Sequence, residues 1–189
     1  MNLSDLTRFA VANQQLLKQL QDALLNVSEI NSLFYSSSVP IVGGASMGAH
    51  LRHILDFYSA FYLGAKKGKV NYDDRARNTQ IENSLSAGLD QLEIAVEQLE
   101  EVAYLTNRSI EIFASIDVAE SENYKTSCLA RELQTLHSHT THHMAIIAII
   151  LKLNDIDVSS DFGKAPSTIQ YEYQLSSQTQ NNTTLNMTN

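Results

Sequence analysis

The sequence predicts an all-α protein, and three observations support this fold class. The 189 residues include only seven Gly and two Pro, and neither Gly-rich loops nor regular turn signals at strand spacing interrupt the chain. Apolar residues recur instead at steps of three and four over long stretches. A chain of this length fills one hydrophobic core and is short for two. We therefore expect a single helical domain.

Composition excludes several functional classes. The formal net charge of −8 and the pI near 5.1 would repel a phosphate backbone, so we expect no nucleic-acid partner. No stretch approaches the roughly eighteen consecutive apolar residues that a membrane helix needs, so we expect no membrane partner. A single cysteine, Cys128, and the lack of a secretion signal favour a cytoplasmic location.

The first helix is predicted from Ser4, which can cap its amino terminus. One face of this helix repeats at steps of three and four, as is typical of an amphipathic helix. That face consists of Leu6, Phe9, Ala10, Asn13, Leu16, Leu17, Leu20, Ala23, Leu24 and Val27. The next segment, 28–44, contains Pro40 and the pair Gly43-Gly44 and predicts an irregular connection. A connection of this length is typical of a binding element or a packed covering.

Two further helices are predicted in the middle of the chain. The second runs from near Ser46 to about Gly64 and is apolar or small almost all round, which suits an inner position in a bundle. The third opens with a capping box formed by Thr79 and Glu82 and continues to Ala103. Most of its acidic residues lie off its apolar stripe, so we interpret them as a solvated face.

The last third of the chain changes pattern twice. Alternating residues over 109–118 predict one or two short strands, or a small hairpin or arm beside the helices. Ser127 is then predicted to cap a fourth helix over 128–154. Residues 174–189 contain no charged residue and are mostly Gln, Asn, Ser and Thr, so we expect a flexible polar tail there.

The fourth helix carries two histidines on its inward, apolar stripe, His139 and His143. Two imidazoles four residues apart on one helix face can reach a single metal ion. His137 and His142 flank this stripe. The competing interpretation is a pair of hydrogen-bonded core histidines without a metal.

A metal site needs a third ligand, and the second helix offers His50 and His53. Three neutral imidazoles from two helices would hold zinc or nickel and leave a coordination position open. Spacing alone does not choose between these two histidines. Glu132, on the same stripe of the fourth helix, is interpreted either as a carboxylate that orients an imidazole or as the partner of Arg131 or another base, with the first favoured.

Other candidate chemistry is sparse. Cys128 is interpreted as an ordinary cysteine and not as a nucleophile. Polar residues near the predicted site end are expected to form surface ion pairs; they are Arg52, Tyr72, Asp73, Arg75 and Arg77. No residue is assigned a catalytic role.

The order and separation of two segments resemble the DinB-like superfamily, a family of metal-binding helical-bundle proteins. The first segment is SMGAHLRHILD at 46–56, and the second runs from Arg131-Glu132-Leu133 to the histidines at 137–143. The resemblance covers about residues 3–153. It implies an up-down-down-up-type four-helix bundle, which we assign to 1–160, and it leaves the carboxy-terminal extension over 161–189 unexplained.

The resemblance also implies a metal site and a class of reaction. It assigns His53, His139 and His143 as ligands of nickel or zinc, with His50 as the reserve choice. Members of the family are frequently homodimers, which implies a homodimer here. Some are thiol-dependent transferases or isomerases, which implies an S-transferase with a low-molecular-weight thiol and a small electrophilic substrate. The alternative is a non-catalytic metal-binding or dimeric helical interaction module.

Overall fold

A computed structural model describes residues 5–30, 32–117 and 121–186. Within these ranges the chain is mostly helical, with six α-helices and three short β-strands. In chain order they are α1 Asp5–Ile30, α2 Met47–Lys67, β1 Lys69–Asn71, α3 Thr79–Asn83, α4 Leu85–Ala103, β2 Ser109–Phe113, β3 Lys125–Cys128, α5 Leu129–Leu153 and α6 Pro166–Asn186. The predicted cap Ser4 lies outside the described residues.

The core forms where α1 and α2 each pack against both α4 and α5. The predicted face of α1 points into this core, and Leu17, Leu20 and Leu24 are fully buried. Burying a leucine side chain stabilises a fold by about 1.5–3 kcal/mol. This face therefore supplies a large part of the free energy that holds α1 against the other helices.

A buried polar cluster joins three of these helices. Asn13 on α1 donates a hydrogen bond from Nδ2 to the carbonyl oxygen of Leu133 on α5, at 2.9 Å. The hydroxyl of Tyr58 on α2 donates to Oδ1 of Asn13 at 2.6 Å, and the hydroxyl of Thr140 donates to that of Tyr58 at 3.1 Å. Asn13 occurs in the apolar stripe because its side chain serves this cluster.

The start of α2 agrees with the sequence, since the hydroxyl of Ser46 accepts a hydrogen bond from the amide of Ala49. The helix continues to Lys67, beyond the predicted end, and Gly68 closes it with a φ of 78°. The connection before it contains two short 3-10 helices, Ser32–Ser36 and Pro40–Val42.

The predicted third helix is two helices, because the chain turns at Ser84. This residue is extended, with φ −128° and ψ 113°, and its hydroxyl caps α4 by accepting from the amide of Ala87. The cap of α3 is Asn78, so the predicted capping box of Thr79 and Glu82 is wrong. The carboxylate of Glu82 instead pairs with a side chain of α2.

A three-stranded sheet makes the fold not purely α-helical, which corrects the predicted fold class. The predicted strand is present as β2, which pairs with β1 in parallel and with β3 in antiparallel orientation. Ser127 lies in β3 and faces Ile110 in the register, so Cys128 and not Ser127 is the cap position of α5. Strands β1 and β3 are three and four residues long, too short for a recognisable alternation.

The carboxy-terminal extension contains α6. Its side chains over 166–178 are exposed, apart from a partly buried Ile169. This helix extends to Asn186 and so includes much of 174–189, where the composition predicts a flexible polar tail. In the described part of the chain, no helix has the length and apolar character needed to cross a membrane.

Candidate metal centre

Three of the predicted histidines come together where α2 packs against α5. His53 lies on α2, and His139 and His143 lie one turn apart on α5. The Nε2 atom of His139 is 3.1 Å from Nε2 of His53 and 3.2 Å from Nε2 of His143. All three residues offer a ligand nitrogen within 4.8 Å of the others. We call these three residues the histidine triad.

The geometry of the histidine triad fits a metal ion. Imidazole nitrogens bind zinc at about 2.0–2.1 Å, which places two ligands of a tetrahedral site about 3.3–3.4 Å apart. The two observed Nε2 separations of 3.1 and 3.2 Å are shorter than this by only a few tenths of an ångström. All three side chains are partly exposed. Three histidines therefore lie close enough to bind a metal.

The surroundings hold the histidine triad in the neutral form that metal binding requires. Burial, together with the proximity of His143 and Arg75, lowers the pKa of His53 to about 4. Burial, with the charge of His53, lowers the pKa of His139 to about 4. Burial and the neighbouring His139 lower the pKa of His143 to about 3. The group is consequently ready to bind a cation at neutral pH.

The fourth inward histidine, His50, contacts the histidine triad from the other side. Its Nδ1 atom is 3.0 Å from Nδ1 of His143, so one of these nitrogens donates a hydrogen bond to the other. A ligand that binds a metal through Nε2 commonly donates its other ring N–H to a neighbouring acceptor, which fixes the ring. His50 is placed to accept this hydrogen bond from His143.

The remaining sequence candidates lie around this group. The ring of exposed His142 packs edge-on against His143, at 5.1 Å between centroids, and the carbonyl of His137 accepts a hydrogen bond from the hydroxyl of Thr141. Glu132 is buried and accepts hydrogen bonds from Tyr72 at 2.9 Å and from Ser127. Its hydrogen bonds among the described residues thus join it to hydroxyls and to no imidazole.

Aromatic side chains form a wall of the site that sequence reasoning missed. The ring of Phe57 stacks on His139 at 4.2 Å and on Tyr72 at 5.1 Å. Phe57 is four residues after His53 on the same helix face, and this spacing is the signal that could have identified it. Tyr72 is buried and bonded to Glu132, so its predicted role in a surface ion pair is wrong.

The predicted ion pairs are present for one arginine of this region and not for another. Arg52 pairs with Asp56 at 3.2 Å and with Glu82 at 2.8 Å. Arg75 has no carboxylate within 4.0 Å among the described residues; its Nη1 instead lies 2.7 Å from Nδ1 of His53. The segment that carries Arg75 has no regular secondary structure, so periodicity gives no indication of this contact.

Comparisons with known proteins give a partial similarity. The chain is 34% identical over 104 residues to FK506-binding protein 5 of Rhizopus delemar. The similarity covers 54% of this chain and 27% of that protein, so the chain spans about a quarter of the relative. No family model matches the sequence. No solved structure matches it either.

Proposed function

We propose that this protein binds one divalent metal ion, zinc or nickel, through His53, His139 and His143. The convergence of three Nε2 atoms from two helices supports this proposal. Three imidazoles are the donor set of catalytic zinc sites that keep an open position. His50 is the positioning residue for His143 rather than a ligand, because it contacts the nitrogen that faces away from the histidine triad.

We further propose a DinB-like S-transferase that joins a low-molecular-weight thiol to a small electrophilic substrate. The motifs at 46–56 and 131–143, which carry the resemblance, support this class of reaction. The proposal includes the up-down-down-up four-helix bundle, in which α1, α2, α4 and α5 are the bundle helices. It also includes the predicted homodimer and cytoplasmic location.

A bound divalent ion would act as a Lewis acid and favour the thiolate form of the thiol. The protein supplies position and a shielded surface. Phe57 covers one face of His139, and Tyr72 stacks behind Phe57, so water has little access from that side. Tyr72 is itself fixed by the hydrogen bond to Glu132. Through these contacts Glu132 positions the aromatic wall of the site.

Metal analysis tests the binding proposal. The protein is purified without a histidine tag, and its zinc and nickel content is measured by mass spectrometry. We expect about one ion per chain. This content should fall close to zero in His53→Ala, His139→Ala and His143→Ala, because an open zinc site is held by three protein ligands and each variant keeps only two. His142→Ala, which changes an exposed histidine of the same helix, is the matched control. Wild-type protein without stoichiometric metal would overturn the proposal.

The choice between the two histidines of α2 has its own test. His50→Ala should weaken metal binding by about 10–100-fold, as is typical for loss of a hydrogen-bond partner of a ligand. His53→Ala should abolish loading. The opposite order would make His50 the ligand and His53 its partner.

The transferase proposal is tested by incubating metal-loaded protein with a panel of thiols and an electrophilic dye. Conjugation should require both the metal and the intact histidine triad. Equal conjugation rates for the metal-loaded wild type and for His139→Ala, with every thiol tested, would contradict a transferase. Light scattering measures the oligomeric state on the same samples, and a monomer would contradict the homodimer.

A further inference from the structure

Arg75 stands at the edge of the candidate metal centre, on the segment between β1 and α3. Its Nη1 atom is 2.7 Å from Nδ1 of His53. Its guanidinium carbon lies 5.4 Å from the centroid of Phe57, the ring that stacks on His139. The side chain therefore touches two parts of the site at once.

The charge of Arg75 is not neutralised by an ion pair in the described ranges. The acidic groups nearby have other partners, since Asp56 pairs with Arg52 and Asp73 accepts hydrogen bonds from Ser115. The Nε atom of Arg75 is buried and makes no hydrogen bond to the described residues. Partial burial of a cation is costly unless an acceptor compensates it. The acceptor that Arg75 contacts is one imidazole nitrogen.

This contact requires a particular protonation state of His53. A guanidinium can only donate, so Nδ1 of His53 must carry a lone pair. A metal ion bound through Nε2 would use the lone pair of that atom, and the single proton of the neutral ring would then reside on Nδ1. Two donors would face each other, and the contact would break. Metal binding thus leaves the guanidinium of Arg75 in need of a new acceptor.

We propose that Arg75 binds a carboxylate of the small molecule that occupies the open position of the metal. This inference rests on the proposed metal site and narrows its ligands to anionic compounds. A guanidinium and a carboxylate form short, charge-assisted hydrogen bonds, often two at once. Because metal binding releases Arg75 and the carboxylate then engages it, each of the two ligands favours binding of the other.

Cobalt(II)-loaded protein tests the proposal, since a thiolate bound to cobalt gives a charge-transfer absorption. The protein is titrated with 3-mercaptopropionate and with its neutral amide, 3-mercaptopropionamide. We expect the wild type to prefer the carboxylate by about tenfold. Arg75→Gln should lose this preference and keep its affinity for the amide, and Arg75→Lys should keep part of the preference. Arg77→Gln, which changes an exposed arginine two residues away, should behave as the wild type.

A second readout separates a binding role from a structural one. Cobalt alone should bind Arg75→Gln at least as tightly as the wild type, because the glutamine side chain, unlike a guanidinium, can accept a hydrogen bond from a protonated Nδ1 of His53. A variant that binds cobalt and both thiols more weakly would show a structural role and overturn the inference. So would an unchanged carboxylate preference in Arg75→Gln, and in both cases the metal site itself would stand. Failure of the wild type to bind cobalt would overturn both proposals.

Discussion

Zinc binding at about pH 6 should release almost no protons from this protein, because the histidine triad is already neutral. The pKa values of His53 and His139 are lowered to about 4, and that of His143 to about 3, with burial as the main cause in each case. A group with a pKa two units below the pH is about 99% deprotonated. The ligands therefore have almost no proton to lose when the ion arrives.

The contrast with ordinary histidines is large enough to measure. An imidazole with the usual pKa of about 6.5 is about three-quarters protonated at pH 6, so three of them would release about two protons per ion. For this protein we expect fewer than about 0.3 protons released per ion. This value includes slight ionisation of a metal-bound water with a pKa of about 7. The two expectations differ by more than one proton per ion.

Calorimetric titration in two buffers of different ionisation enthalpy measures this number directly. The difference between the two apparent binding enthalpies gives the protons released per ion, after correction for zinc binding to each buffer. His139→Ala, which removes one ligand, gives the baseline without a complete site. Release of about two protons by the wild type would refute the argument that burial keeps these histidines neutral.

Three further predictions concern stability. Without metal, the free energy of unfolding should fall as the pH drops from about 7 to about 4. Unfolded histidines take up protons near pH 6.5, whereas the folded histidine triad does not. Urea titrations at each pH measure this free energy. Tyr58→Phe should lower the free energy of unfolding by about 1–3 kcal/mol, because it leaves the buried Oδ1 of Asn13 without its donor. The control Tyr62→Phe alters a surface hydroxyl and should change the free energy of unfolding by less than about 0.5 kcal/mol. Gly48→Ala should destabilise by about 1–3 kcal/mol or more in thermal unfolding, because the added Cβ would lie 2.1 Å from the carbonyl oxygen of Glu82.

Periodicity predicted the long helices well because each buries a continuous face. The stripe of α1 and the mostly buried surface of α2 are both present in the core. Periodicity did not predict the turn at Ser84, because the apolar spacing continues across it through Ile81 and Leu85. The capping hydroxyl at that position competes with continuation of the helix, and the pattern of apolar residues does not register this competition.

The sheet was predicted only in part for a different reason. β2 has a recognisable alternation over its five residues, and its partners are shorter. β1 and β3 are extended because β2 supplies their hydrogen bonds, so their conformation depends on residues far away in the sequence. Such dependence is the usual limit of β-propensity as a guide.

The roles of His50 and His53 show the same limit within the site. Three residues of helix turn these side chains only about 60° apart, so both can face the same neighbouring helix. The register of α2 against α5 then separates them: His53 meets Nε2 of His139, while His50 meets Nδ1 of His143. A shift of one helical turn between α2 and α5 would bring different side chains opposite these rings. Packing elsewhere along the two helices contributes to this register, including the buried hydrogen bond from the hydroxyl of Thr140 on α5 to that of Tyr58 on α2, so the proposed ligand set depends on contacts outside the site.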